Sequence, residues 1–289
     1  MKTQGHGGKN HGSIHQILLL RGLTREARHW GDFPEELRRA YEAQGIDLRV
    51  NLVDLPGAGA HSEMISPTSI DAIADFVRDR FRDQLAQEME SGLPKATRRS
   101  LVTISLGGMI ATSWVTRFPN DFNSVVLMNS SLRGLSKPTD RLRVDQWWRI
   151  PLILKERDPE TRERRILEWI SNRPDRRAEV LQEWVKIQLT RPVSPANLAI
   201  QLAAAARYKP NKVPAVPALL LCGRGDRMVS FSCSESIAQA WGAKILHHPV
   251  AGHDLPLDAG GWAATMIAEW NSQNFATSAS KSSSESVSP

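Results

Sequence analysis

The stretch Leu101-Val-Thr-Ile-Ser105-Leu-Gly-Gly-Met109 decides the fold. It reads as a short buried strand, then one serine, then a helix that starts at once. So tight a turn lifts the Ser105 hydroxyl off the end of the sheet and aims the helix N-terminus at it. Small residues have to flank such a turn. Gly107 meets that need two positions on. Thr103, two positions before, is bulkier than the glycine that a G-x-S-x-G elbow places there. Alone, the stretch also fits a plain strand–helix junction with a capping serine.

Outward from it, short apolar runs recur at residues 16–20, 48–53, 99–104, 124–129, 217–222 and Lys244–His248. They are Leu-rich or β-branched and bounded by Gly, Pro or Asn, as buried strands are. Helical patterns lie between them at 34–44, 66–87, 106–117, 234–241 and 258–270. The first has Asp32 as a candidate cap and Pro34 in its first turn. The second carries an apolar stripe at Ile70, Ile73, Phe76, Val77, Phe81 and Leu85. Near-continuous apolar strands separated by helices predict an α/β fold with a mostly parallel sheet covered on both faces.

Residues 133–212 break this rhythm. No strand stands out there; Trp147, Trp148, Trp169 and Trp184 sit among dense charge and frequent prolines. The stretch predicts short helices inserted between the fourth and fifth strands, as a cap over the strands' carboxyl ends, where α/β sheets place their sites. The expected organisation is a core of residues 14–132 and 213–274, a helical cap at 133–212, a flexible tail at 1–13 and a disordered Ser-rich tail at 275–289.

Two further stretches join Ser105. Cys222-Gly-Arg-Gly-Asp226-Arg-Met-Val229 follows a strand and projects a carboxylate at its end; alone it could be an Asx turn. Val250-Ala-Gly-His253 follows the last strand, and His is the usual base for a serine nucleophile. His247 and His248 fall on the strand itself, where a core or edge role is expected. The order Ser105, Asp226, His253, each after a strand, is that of a Ser-Asp-His triad. Ile17-Leu-Leu-Leu-Arg21-Gly22-Leu23 adds a glycine turn after the first strand. Its Leu23 N–H, with the Leu106 N–H, is a candidate pair of oxyanion donors. Gly22 and Gly107 are the glycines that support these turns.

The chain resembles the α/β-hydrolase superfamily, in its branch of small capped esterase-like proteins. The resemblance rests on Leu20-Arg-Gly-Leu23, Asp54-Leu-Pro-Gly-Ala-Gly59, Thr103-Ile-Ser-Leu-Gly107, Gly223-Arg-Gly-Asp-Arg-Met-Val229 and Gly252-His253. It departs from the family pattern at Arg21, where His is usual, and at Thr103. The family also places its acid after the preceding strand in some members, but Met128-Asn129-Ser130-Ser131 holds no carboxylate there. The resemblance implies a carboxylesterase-like serine hydrolase that uses an acyl-enzyme to cleave a small-molecule ester or related acyl bond. Thioesterase, lactonase, carbon–carbon hydrolase and cofactor-free haloperoxidase-like chemistries share the fold, as do ligand-binding or signalling proteins with little turnover.

Composition bounds the rest. In 289 residues, 41% hydrophobic and 24% charged content excludes wholesale disorder. No apolar run approaches the ~18 residues of a spanning helix, and no apolar signal core precedes the first strand. Stable membrane insertion is therefore not expected. Two cysteines, Cys222 and Cys233, cannot make a disulfide framework, so a reducing, cytoplasmic setting is the expectation. No cofactor and no metal are expected, since the histidines lack ligand spacing with Cys or carboxylates. The net charge of +6 raises the question of nucleic acid. Residues 133–212 hold 18 Lys+Arg against 10 Asp+Glu, so the excess sits in the cap, mixed with acids and without a reading motif. A nucleic-acid partner is therefore not expected. The cap charge, and Arg21, Arg224 and Arg227 beside the site loops, raise instead the expectation of an anionic group on the substrate.

Overall fold

A computed structural model describes the backbone of residues 14–285 and side-chain surroundings as far as Phe275. Six strands form one sheet in the order β2-β1-β3-β4-β5-β6: β1 Ile14–Leu20, β2 Asp47–Leu52, β3 Arg98–Ile104, β4 Ser124–Met128, β5 Ala218–Gly223 and β6 Lys244–His248. Every neighbouring pair is parallel. The predicted strands match these within two residues. Among the described residues there are ten α-helices, α1 Phe33–Glu42, α2 Ile70–Glu90, α3 Leu106–Arg117, α4 Pro138–Arg141, α5 Arg149–Leu154, α6 Pro159–Ile170, α7 Pro174–Thr190, α8 Pro195–Arg207, α9 Phe231–Trp241 and α10 Leu255–Glu285, and three short 3-10 helices.

Period-two alternation splits the strand side chains between two cores. Leu18, Leu20, Leu101, Val125, Leu127 and Leu220 face α2, α3 and α9. Ile17, Leu19, Val102, Val126, Leu219 and Leu221 face α1 and α10. All are fully buried, so the sheet is covered on both faces as its sequence implied.

Two local expectations need correction. Asp32 is the N-cap residue of α1, but its side chain makes no capping hydrogen bond. Its backbone is already helical (φ −77°, ψ −9°), which turns the carboxylate away from the free N–H groups. The stripe read from residue 66 starts its helix at Ile70, where Ser69 accepts a hydrogen bond from the Ala72 N–H. The last helix, α10, is kinked at Ala259 (φ −151°, ψ 44°) and its backbone continues to Glu285. The tail expected at residues 1–13, and residues 286–289, lie outside the described residues.

The insertion between β4 and β5 is all helix, α4 to α8, and forms a cap. It carries its own small core of Leu167, Trp169, Ile170, Trp184 and Ile187, closed by Leu257 from α10.

Candidate active site

The three chain-order residues converge. His253 Nε2 lies 3.0 Å from Ser105 Oγ, and His253 Nδ1 lies 2.8 Å from Asp226 Oδ2. A carboxylate can only accept, so Nδ1 carries the proton and Nε2 presents its lone pair to the serine O–H. The other Asp226 oxygen accepts from the Met228 and Val229 N–H groups at 2.8 and 2.9 Å. The Gly-x-x-Asp-x-x-Val turn thus holds one oxygen with its own backbone and leaves the second for the imidazole. Burial alone would lower the His253 pKa; the Asp226 carboxylate outweighs it and raises the pKa above the ordinary histidine value.

Ser105 sits between β3 and α3 at φ 56°, ψ −119°. Backbone strain of this kind costs on the order of 1–3 kcal/mol and persists only where neighbours enforce it. Here the Ser105 N–H donates to Met128 O at 2.9 Å, and Ser105 O accepts from Ser130 Oγ at 2.9 Å. The only other non-glycine residues with positive φ among those described are Thr24 (61°) and Asn129 (45°). All three lie at the carboxyl ends of β1, β3 and β4. For β-branched Thr24 the conformation is a real outlier, and it lies in the loop that carries Leu23.

The small residues have structural causes. A Cβ on Gly22 would come within 2.9 Å of Ser105 Cβ, and one on Gly107 within 2.7 Å of Leu20 O. The β1 loop therefore lies directly on the elbow. Thr103 fits in place of glycine because its hydroxyl donates to Val126 O at 3.1 Å and its side chain is fully buried. Leu23 and Leu106 both border Ser105, and no hydrogen-bond partner occupies either N–H among the described residues.

Arg21, where the family pattern has His, also has an explanation. Its guanidinium makes two hydrogen bonds to Asp254, at 3.2 and 2.5 Å, with both side chains nearly inaccessible. It also lies 4.9 Å from the Trp30 ring centre. Burial works to raise the Asp254 pKa, but the Arg21 charge overrides it and holds the carboxyl below its ordinary range. The pair ties the Leu23 loop to the residue after His253. Asp254 escaped the sequence reading, because nothing local marks a partner 233 positions away. Asn129 escaped it too. Its side-chain amide donates to Gly252 O and His253 O at 3.0 and 2.8 Å, and its carbonyl accepts from the Gly223 N–H at 2.9 Å. Asn129 thereby joins β4, β5 and the histidine loop. An asparagine at a strand end is a sign of left-handed backbone, and that was the one available signal.

Arg224 and Arg227, expected to face an anionic substrate, point elsewhere. Arg227 donates to Glu168 O and Ser171 O in the cap. The Arg224 guanidinium lies 5.9 Å from the Phe231 ring centre. With Arg21 neutralised by Asp254, none of the three offers a free charge to Ser105.

A cavity of about 250 Å³ opens on Ser105 and His253. The cap supplies much of its wall, with Leu142, Ile150, Ile153, Ile166 and Trp169, and Met228 closes one side. A second serine–histidine contact, His15 Nε2 to Ser100 Oγ at 2.8 Å, lies at the opposite, amino-terminal end of the strands. It is buried among Ser124, Asn271 and Tyr41. Among the described residues, no three His, Cys, Asp or Glu side chains group as metal ligands would, and no helix is long and apolar enough to cross a membrane.

A parallel sheet, an inserted cap and a serine–histidine pair at a strand–helix elbow define an α/β-hydrolase architecture. A model of the alpha/beta hydrolase family matches residues 17–265, and the chain belongs to that family. Among solved structures, an esterase from Thermogutta terrifontis superposes with a TM-score of 0.66 at 19% identity over 91% of each chain. An enol-lactonase from Burkholderia xenovorans gives 0.66 at 18% identity, over 92% of this chain and 94% of that one. At such identities the likeness speaks for the fold. In sequence, a pimeloyl-[acyl-carrier protein] methyl ester esterase from Chromobacterium violaceum is 31% identical over 123 residues, 43% of this chain. The matched stretch spans 40% of that relative's length.

Proposed function

We propose that the protein is a serine hydrolase that cleaves a carboxylic ester of a small molecule. The observation that carries this reading is the hydrogen-bonded chain Asp226–His253–Ser105, seated at the mouth of an apolar cavity. Ser105 Oγ attacks the ester carbonyl carbon while its proton passes to His253 Nε2. Asp226 fixes the imidazole tautomer and stabilises its charged form. The Leu23 and Leu106 N–H groups receive the developing oxyanion. The C–O bond to the alcohol then breaks, and His253 gives its proton to the leaving oxygen. Water attacks the acyl-Ser105 carbonyl, with His253 again as base. The acid departs, and the proton returns to Ser105.

The test is hydrolysis of short-chain p-nitrophenyl esters by wild type and Ser105→Ala. Wild type should turn them over. The variant should lose on the order of 10³-fold or more in kcat, with an unchanged circular-dichroism spectrum. Equal turnover by both proteins would contradict the assignment.

A further inference from the structure

A second cavity, of about 800 Å³, also opens on Ser105. Its walls hold three cations, Arg133, Arg141 and Lys209, and no carboxylate. None of the three forms an ion pair with a carboxylate among the described residues. Arg141 donates to Ala205 O at 2.7 Å, and its Nε is buried with no hydrogen-bond partner. Arg133 makes one contact, to Arg207 O. The Lys209 stem runs across Gly134, where a Cβ would come within 3.0 Å of Lys209 Cε. Arg141 alone of the three is half-buried, and such a cation with no counter-charge is costly unless a ligand supplies one.

The two cavities also differ in what faces the reaction. His253 lines the apolar cavity and not the basic one, whereas Leu106 lines the basic one and not the apolar one. His253 must reach the leaving oxygen, which places the alcohol half of an ester on the apolar side.

Building on the hydrolase reading, we propose that Arg133, Arg141 and Lys209 form a subsite for an anionic group, carboxylate or phosphate, at the far end of the acyl half. The apolar cavity takes the alcohol half. The preferred substrate class is thus an apolar alcohol esterified to an acid that carries a second, ionised group.

Four esters test this. Hexyl hydrogen glutarate and hexyl phosphonobutyrate carry the anion on the acyl half, as carboxylate and as phosphonate. Hexyl pentanoate is neutral, and hexanoyl glycolate carries the anion on the alcohol half. Wild type should favour at least one acyl-anionic ester over the neutral one by about ten- to a hundredfold in kcat/KM, the scale of one charge-assisted contact. Which of the two is favoured tells carboxylate from phosphate. That ratio should fall towards one in Arg133→Gln and Lys209→Gln, both exposed positions that leave the half-buried Arg141 in place. Arg133→Lys should retain most of it. A ratio near one in wild type, or a ratio unchanged in both Gln variants, would overturn the subsite. Preference for hexanoyl glycolate would overturn the assignment of halves to cavities. If none of the four esters is turned over while p-nitrophenyl esters are, the subsite fails; if neither kind is turned over, the hydrolase reading itself fails.

Discussion

At the residue scale, the proposed chemistry depends on one proton position. His253 acts as a base only when neutral, and the Asp226 carboxylate raises its pKa against the effect of burial. Activity should therefore rise with pH through an ionisation above the ordinary histidine value of about 6.5. The sign follows directly: protonated His253 cannot accept the Ser105 proton, so the acid limb is the inactive one. Asp226→Asn removes the raising charge. It should move that limb to lower pH in a kcat/KM profile and lower the plateau by orders of magnitude. A limb that stays in place would detach Asp226 from the base. The same scale explains the two departures from the family pattern. Thr103 bonds its hydroxyl to a neighbouring strand, and Arg21 takes Asp254 as partner. Neither partnership is visible from local sequence.

At the scale of elements, the cap is joined to the site loops by buried charge. Arg25, from the loop carrying Leu23, and Glu163, from α6, form an ion pair at 2.7 Å with both side chains almost wholly buried. Arg25 also lies 4.5 Å from the ring centre of Trp184 on α7. Removing one partner of such a pair leaves the other buried and uncompensated, at a cost of about 3–5 kcal/mol. Glu163→Ala should lose about that much in chemical denaturation. The double variant Arg25→Met, Glu163→Leu should recover most of it. A single variant as stable as wild type would show that the cap is not held this way. The elements themselves were legible because each strand is a continuous apolar run and each core helix a periodic one. The cap helices were legible only as a region. The 3.6-residue period is weak in stretches whose side chains face a cavity on one side and water on the other, such as Trp147, Trp148 and Leu154 on or beside α5.

At the scale of the whole molecule, the buried histidine at the amino-terminal end of the sheet contributes to acid behaviour, as buried His29 does. Burial first, and then the Arg98 charge, push the His15 pKa down to about 3. In the unfolded chain it titrates near 6.5. Between those values the unfolded state binds the extra proton, so stability is full above about pH 6.5 and falls as the pH drops towards 3. His15→Gln should flatten urea-derived stability against pH in that window, by up to about 1.4 kcal/mol per pH unit. Identical slopes would remove His15 from the account. The positive charge of the chain also acquires a place at this scale. Composition located its excess in the residues that form the cap, but could not say which cations face Ser105. Arg21, Arg224 and Arg227 lie in the site loops, but Arg21 and Arg227 bond internal partners and Arg224 lines neither cavity on Ser105. Arg133, Arg141 and Lys209 lie outside those loops, and the fold brings them to its second cavity.

The central claim is that Ser105 is an activated nucleophile. The most direct measurement is covalent labelling of the wild-type protein with a fluorophosphonate, followed by mass spectrometry of its peptides. One adduct on Ser105, lost in His253→Ala, is the expected result. An unlabelled protein, or an adduct on another serine, would contradict it.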